Sequence, residues 1–155
     1  MLREPSSVYK DDLTIPDSEI LYRLVTPKWV LWEGERAVRP KSNAFQDQHE
    51  SKTIASGYPA QSLSVFLSSV MEQNGITVDD VLQQPEWEGK YGMVSIAAEI
   101  ARAQNQGIVR DPTESNPAHA LVFTKSGMHR SVAVRKRLAR AAQLVVVPPD
   151  RLSFK

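Results

Sequence analysis

At 155 residues, with 41% hydrophobic and 24% charged side chains, the chain has the size and composition of one globular domain, which excludes a disordered or fibrous protein. Cysteine is absent, which excludes a disulfide framework, a cysteine nucleophile and a thiolate metal site. No stretch approaches the roughly 20 apolar residues that cross a bilayer, and Met1 to Lys10 has no apolar signal core, so a soluble cytoplasmic protein with no membrane partner is expected.

The net charge of +1 conceals a split. Residues 1–114 hold 11 Lys/Arg against 17 Asp/Glu, whereas residues 115–155 hold 8 Lys/Arg and one acid, Asp150. Between Ser115 and Pro149 the charges are Lys125, Arg130, Arg135, Lys136, Arg137 and Arg140, with no carboxylate among them. Such an end either meets an anionic partner or folds against the acidic part of its own chain.

In chain order, residues 1–19 are polar, carry Pro5 and Pro16, and read as a loosely ordered N-terminal arm. Residues 20–155 read as a single α+β domain. Ile20 to Val25 is predicted as a strand that Pro27 ends. Trp29 to Trp32 is a short apolar run, a strand or one helical turn. Glu33 to Ser56 is mostly polar and predicts a long loop with at most a short strand. Leu63, Phe66, Leu67, Val70 and Met71 are spaced by three and four, which predicts a helix over about 60–74, stopped by Gly75. Thr77 and Asp80 resemble an N-cap and an aspartate capping box, opening a helix over 77–84. Ile96, Ala97, Ile100 and Ala101 share a face of a third predicted helix over 93–106, ended by Gly107. After the turn-rich stretch Asp111 to Pro117, alternation predicts a strand over Ala118 to Thr124. A last helix is predicted over 128–143, and Leu144 to Val147 predicts a short strand before Pro148-Pro149. The fold class is therefore α+β, with central helices and a few short strands near both ends.

Two polar clusters could carry chemistry. Glu114 and His119 flank the 111–119 turn and would serve as an acid/base pair if the turn folds them together. The structural alternative is ordinary Asn116-Pro117 turn chemistry, with His119 in the core beside Leu121 and Phe123. The second cluster is Arg36, Arg39, Lys41, Ser42 and Asn43. Arg and Lys supply charge to a phosphate, and Ser and Asn supply directed hydrogen bonds. The alternative is a solvated basic loop, since no glycine lies between Arg36 and Ser56 and the nucleotide-binding glycine patterns are absent. No cofactor is expected. His49, His119 and His129 lack metal-site spacing, and Ser126-Gly127 lacks the nucleophile elbow.

The pair Tyr22-Arg23, the loop serines Ser42 and Ser51 and a late Glu114 resemble the sparse layout of ADP-ribosyl-transferring enzymes. Three or four loosely spaced residues carry the resemblance. It implies that Arg23 holds dinucleotide phosphates and that Glu114 assists the ribose chemistry.

On the last predicted helix, Arg130, Lys136, Arg137 and Arg140 lie away from the Val132/Leu138/Ala142 stripe, with Arg135 near its edge. A cationic face of this kind binds nucleic acid or an acidic protein, or stays solvated. Phe123 is the only aromatic residue from Asn116 to Leu152, so the stacking rings of a single-strand binder are not found in this part of the sequence. Three functions follow. The leading one is a non-enzymatic binding or accessory protein that uses the basic C-terminal helix. The alternative is an enzyme for a phosphorylated or nucleotide substrate, with Ser42, Glu114 and His119 as catalytic residues and Arg39 and Asn43 holding the anion. The third is a homo-oligomer anchored by Trp29, Trp32 and Trp87.

Overall fold

In the computed structural model, which describes residues 10–46, 62–127 and 129–149, strands outnumber helices. They are β1 (Ile20–Val25), β2 (Val30–Glu33), β3 (Arg36–Pro40), β4 (Leu63–Leu67), β5 (Gly92–Ala97), β6 (Gln106–Arg110), β7 (His119–Thr124) and β8 (Gln143–Val146). Four short helices lie among them: α1 (Ser68–Gln73), α2 (Val78–Leu82), α3 (Ala98–Ala103) and α4 (Val132–Ala141). Pro27–Trp29 and Ser42–Phe45 form 3₁₀ turns. Six strands make one antiparallel sheet in the order β6-β7-β4-β1-β5-β8, and β2 and β3 make a separate hairpin.

The fold still mixes α and β, but the expected arrangement of central helices with strands at the ends is overturned. The sheet is the centre. The segment predicted as a helix over 60–74 is β4 followed by α1, and the one over 93–106 is β5, α3 and the start of β6. The physical reason is burial on both faces of the sheet. Leu63, Val65 and Leu67 enter one core while Phe66 enters the other. A strand covered on both sides is apolar at nearly every position, and its spacings then imitate those of a helix. Met93, between the second core and β8, and Val94 and Ile96, in the first, produce the same imitation in β5. The helix predicted over 77–84 is present as α2. The one over 128–143 shortens to α4, because Ser131 caps its start and Gln143 already belongs to β8. The first part of the predicted polar loop is the β2–β3 hairpin, turned at Gly34 with φ 65°.

One face of the sheet packs on α3, α4 and the Ser42–Phe45 turn, through Leu21, Val65, Val94, Ile108 and Val122 against Ala101, Leu138 and Phe45. The opposite face is covered by Met71, Val81 and Trp87. Each large apolar side chain so buried contributes about 1.5–3 kcal/mol.

Residues 10–19 run beside β6. The Asp12 N–H donates to the Ile108 carbonyl (2.8 Å), and the Ile108 N–H donates to Asp11 Oδ1 (3.0 Å), so this edge of the sheet is partly covered. Arg102 of α3 bridges Asp11 and Asp17 at 2.7 and 2.9 Å, and Ile15 is buried. Buried Glu19 accepts hydrogen bonds from the Ser68 hydroxyl and from the Ser69 N–H and hydroxyl, which satisfies the start of α1. No helix among the described residues is long and apolar enough to cross a membrane.

Candidate functional site

The two central strands part at Arg23. β1 pairs with β5 along six residues, from Ile20–Ala97 to Val25–Gly92, but with β4 only at Leu21–Leu67 and Tyr22–Phe66. The Arg23 guanidinium occupies the opening. Its Nη1 donates to the Ser64 carbonyl (2.9 Å), and its Nε donates to the Ala44 carbonyl (2.6 Å). A side chain thus serves Ser64 in place of a strand N–H, and it ties the split in the sheet to the Ser42–Phe45 turn.

The third guanidinium nitrogen is different. Arg23 is 2% exposed, and its Nη2 is buried with no hydrogen-bond partner among the described residues. No described carboxylate pairs with it. Burial pushes the guanidinium down to about 9, the nearby Arg130 charge pushes in the same direction, and Tyr91 opposes them. The group is still a cation at neutral pH. The Trp29 ring lies 5.5 Å from its Cζ, within cation–π range.

Arg23 is also one of the residues that line a cleft of about 350 Å³. Its apolar walls are Trp29, Phe66, Trp87 and Tyr91, and its polar rim is Thr113, Asn116 and His119. Phe66 meets Trp87 edge to face at 5.8 Å and meets His119 in the same way at 6.0 Å. The 113–116 turn is closed by its own hydrogen bonds, with the Thr113 N–H on the Asn116 carbonyl (3.1 Å) and the Asn116 N–H on Thr113 Oγ1 (3.0 Å). Gln84 donates to Asn116 Oδ1 (2.7 Å), which leaves the Asn116 Nδ2 hydrogens uncommitted. His119 Nδ1 stands 2.9 Å from the Asp111 carbonyl. The Asp111 carboxylate Oδ2 lies 3.2 Å from the same nitrogen, without the alignment of a hydrogen bond. This partnering leaves Nε2 as the ring nitrogen without a described hydrogen bond.

A second cavity, of about 390 Å³, lies between the end of β3, the Ser42–Phe45 turn and α4. It is lined by Arg39, Lys41, Ser42, Asn43, Lys136 and Arg140. The fold therefore gathers the basic loop and two cations of the basic helix into one groove. Among the described residues no carboxylate pairs with Arg39, Lys41, Lys136 or Arg140.

The other candidates lie elsewhere. Arg130 precedes α4 and is buried, donating from Nε to Gln106 Oε1 (2.7 Å) and from Nη2 to the Val122 carbonyl (3.0 Å). Arg135 is half-buried with its Nε enclosed, and Arg137 reaches Gln104 Oε1 at 3.2 Å. The cations read from the sequence as one helix face are thus divided among the groove, the interior and the α3 side. Ser42 and His119 line different cavities, and exposed Glu114 lines neither. The ADP-ribosyl-transfer layout is split likewise, with Arg23 in the cleft and Ser42 in the groove, while Ser51 lies outside the described residues. Trp29, Trp32 and Trp87 are half-buried against their own chain. Among the described residues no three His, Asp or Glu side chains gather as a metal site.

Sequence reasoning did not assemble the cleft, because its rings come from separate elements. One signal was present. Arg23 sits between Leu21 and Val25 at the buried parity of a strand, where a charge is rare without a purpose. No family model matches the chain, and no curated protein or solved structure matches it.

Proposed function

We propose that this is a small non-enzymatic binding protein that holds a nucleic acid by its phosphates along the groove between residues 39–43 and α4. The observation that carries the reading is the meeting of Arg39 and Lys41 with Lys136 and Arg140 in one cavity that no described carboxylate neutralises. The two arginines offer planar forks that match phosphate oxygens, the lysines offer compact charge, and Ser42 and Asn43 offer directed hydrogen bonds. A single strand is favoured over a duplex. Single-strand binders set aromatic rings beside a cationic track, and Trp29 is tied to the groove by the hydrogen bond from the Lys41 N–H to its carbonyl.

The test is fluorescence anisotropy of labelled single- and double-stranded DNA and RNA over a series of salt concentrations. The logarithm of affinity should fall linearly with the logarithm of salt, with single strands bound more tightly. The double variant Lys136→Ala/Arg140→Ala should lower the magnitude of the slope by about 1.4 for a single strand, as two lost phosphate contacts require. Absence of binding at low salt, or an unchanged slope in the variant, would sink the reading and leave an acidic protein as the partner to seek.

A further inference from the structure

We propose that the cleft where β1 and β4 part is a site for a small planar anion of mononucleotide class, with its ring among the aromatic walls and its anionic group drawn toward the unpaired charge of Arg23. Three independent observations lead there.

The first is a missing counter-charge. A buried cation is costly unless paired. Arg23 is 2% exposed, its Nη2 has no partner among the described residues, and the charged group felt most strongly beside it is another cation, Arg130. Two of its nitrogens are spent on the Ala44 and Ser64 carbonyls, and these bonds fix the direction of the third. A guanidinium so held loses little further side-chain freedom to an oxyanion, and a small local opening of the cleft lining is all that contact with its third nitrogen requires.

The second observation is size. About 350 Å³ is at the lower end of the range for small-molecule sites. The volume suits one ring system with one anionic group and excludes a folded peptide or a duplex.

The third is the character of the walls. Four aromatic side chains, Trp29, Phe66, Trp87 and Tyr91, line the cleft, and aromatic walls suit a planar ring over a branched aliphatic one. The polar rim adds an amide with uncommitted hydrogens at Asn116 and a ring nitrogen at His119 Nε2. Those groups match the hydrogen-bonding edge of a nucleobase better than a plain benzene ring. The ligand chemistry has two sources, a free nucleotide or the phosphorylated end of a strand lying in the neighbouring groove.

The test is titration of the full chain with adenosine, guanosine, cytidine and uridine 5′-monophosphates, followed by tryptophan fluorescence, since Trp29 and Trp87 line the cleft. Matching nucleosides, benzoate and inorganic phosphate serve as controls. At least one monophosphate is expected to bind saturably, its nucleoside at least about tenfold more weakly, and inorganic phosphate more weakly again. Arg23→Gln should remove the preference for the phosphate. Because Arg23 also holds the Ala44 and Ser64 carbonyls, a second variant guards against misfolding. Asn116→Asp keeps the acceptor for Gln84 and adds a negative charge at the rim, and it should weaken the monophosphate at least about tenfold. No saturable binding of any monophosphate up to about 1 mM, the weak limit of useful affinity, overturns the proposal. Equal binding of nucleotide and nucleoside, or an Asn116→Asp protein that binds as tightly as the parent, also overturns it. Competition by a 5′-phosphorylated oligonucleotide, with none from its unphosphorylated form, assigns the site to a strand end. The lack of such competition assigns it to a free nucleotide, and either result keeps the proposal. The Lys136→Ala/Arg140→Ala variant separates this site from the groove, since it should bind monophosphates unchanged whether or not it still binds strands.

Discussion

One backbone hydrogen bond, from the Lys41 N–H to the Trp29 carbonyl at 2.7 Å, joins two cavities of different character. Lys41 lines the open groove whose charged side chains are Lys and Arg, and Trp29 lines the aromatic cleft that buried Arg23 also lines. Arg23 reinforces the junction by donating to the Ala44 carbonyl of the Ser42–Phe45 turn. A ligand that orders this turn is therefore placed to affect both cavities.

The basic residues near the C-terminus should separate by role. Arg130 serves Gln106 Oε1 and the Val122 carbonyl inside the protein. Arg130→Ala strands those acceptors and should cost about 3 kcal/mol or more in urea unfolding, since hydrogen bonds to a charged donor are each worth about 1.5–3 kcal/mol. Arg137 is exposed with one contact to Gln104. Arg137→Ala should change stability by no more than about 0.5 kcal/mol and leave the salt slope of strand binding almost unaltered.

Anion binding in the cleft should depend on alkaline pH. The Arg23 pKa is lowered to about 9 by burial and by Arg130, with Tyr91 acting in the opposite sense and His119 on the cleft wall. A bound anion favours the charged guanidinium and raises that pKa again. Affinity for a monophosphate should thus be flat up to about pH 8 and fall by up to about tenfold per pH unit above about pH 9. The unliganded protein shows the converse sign. Its folded state releases the Arg23 proton at a lower pH than the unfolded chain does, so this group alone makes stability rise with pH from about 9 towards the ordinary arginine value. Calorimetric titration between pH 8 and 10, repeated on Tyr91→Phe, checks the first statement. A profile that stays flat to pH 10 would show that the Arg23 guanidinium keeps its proton throughout that range.

Gly107 and Phe123 are paired across β6 and β7, and a Cβ on Gly107 would lie 2.5 Å from the Phe123 Cζ. Phe123 is fully buried, and a close-packed interior resists displacement of its ring. Gly107→Ala should therefore destabilise by about 1–3 kcal/mol through overpacking. Gly107→Ala combined with Phe123→Leu should cost less than the sum of the two single changes. Urea midpoints for the four proteins of this cycle give the coupling, and strict additivity would contradict the contact.

What the sequence revealed depended on whether local pattern and tertiary burial agreed. The strand at Ile20–Val25 and the one from His119 were legible because Pro27 and the 111–117 turn bound them. The helix at 77–84 was legible because Thr77 and Asp80 define its start without help from the rest of the chain. Leu63–Leu67 and Gly92–Ala97 misled because strands covered on both faces lose their alternation. The groove was half legible, since Arg39, Ser42 and Asn43 stood out as a loop and Lys136 and Arg140 as a helix, while their meeting depends on α4 packing over the Ser42–Phe45 turn. The cleft needs Phe66, Trp87, Tyr91 and Asn116 to converge on Arg23, and no local rule brings residues so far apart in the chain together.

The start of α2 supplies a pH-dependent contribution that can be isolated. The Thr77 N–H donates to Asp80 Oδ2 (2.8 Å), and the Asp80 N–H donates to Thr77 Oγ1 (3.1 Å), closing a reciprocal capping box. The Thr77 backbone N–H first, and the Thr77 hydroxyl second, hold the Asp80 carboxyl below its usual range. A carboxylate lowered in the folded state contributes stability above its unfolded pKa and loses it as pH falls through the folded value. Thr77→Ala should lower Tm by roughly 2–4 °C at neutral pH, where the cap is lost but Asp80 is ionised in both states. Asp80→Asn should lower Tm at neutral pH and narrow the gap from the parent as pH falls through the lower carboxylate range, because protonation of Asp80 in the parent removes the same interaction. Thermal unfolding of the three proteins from pH 7 to pH 3 measures both effects. A gap between parent and Asp80→Asn that stays constant over that range would show that the carboxylate does not act through its charge.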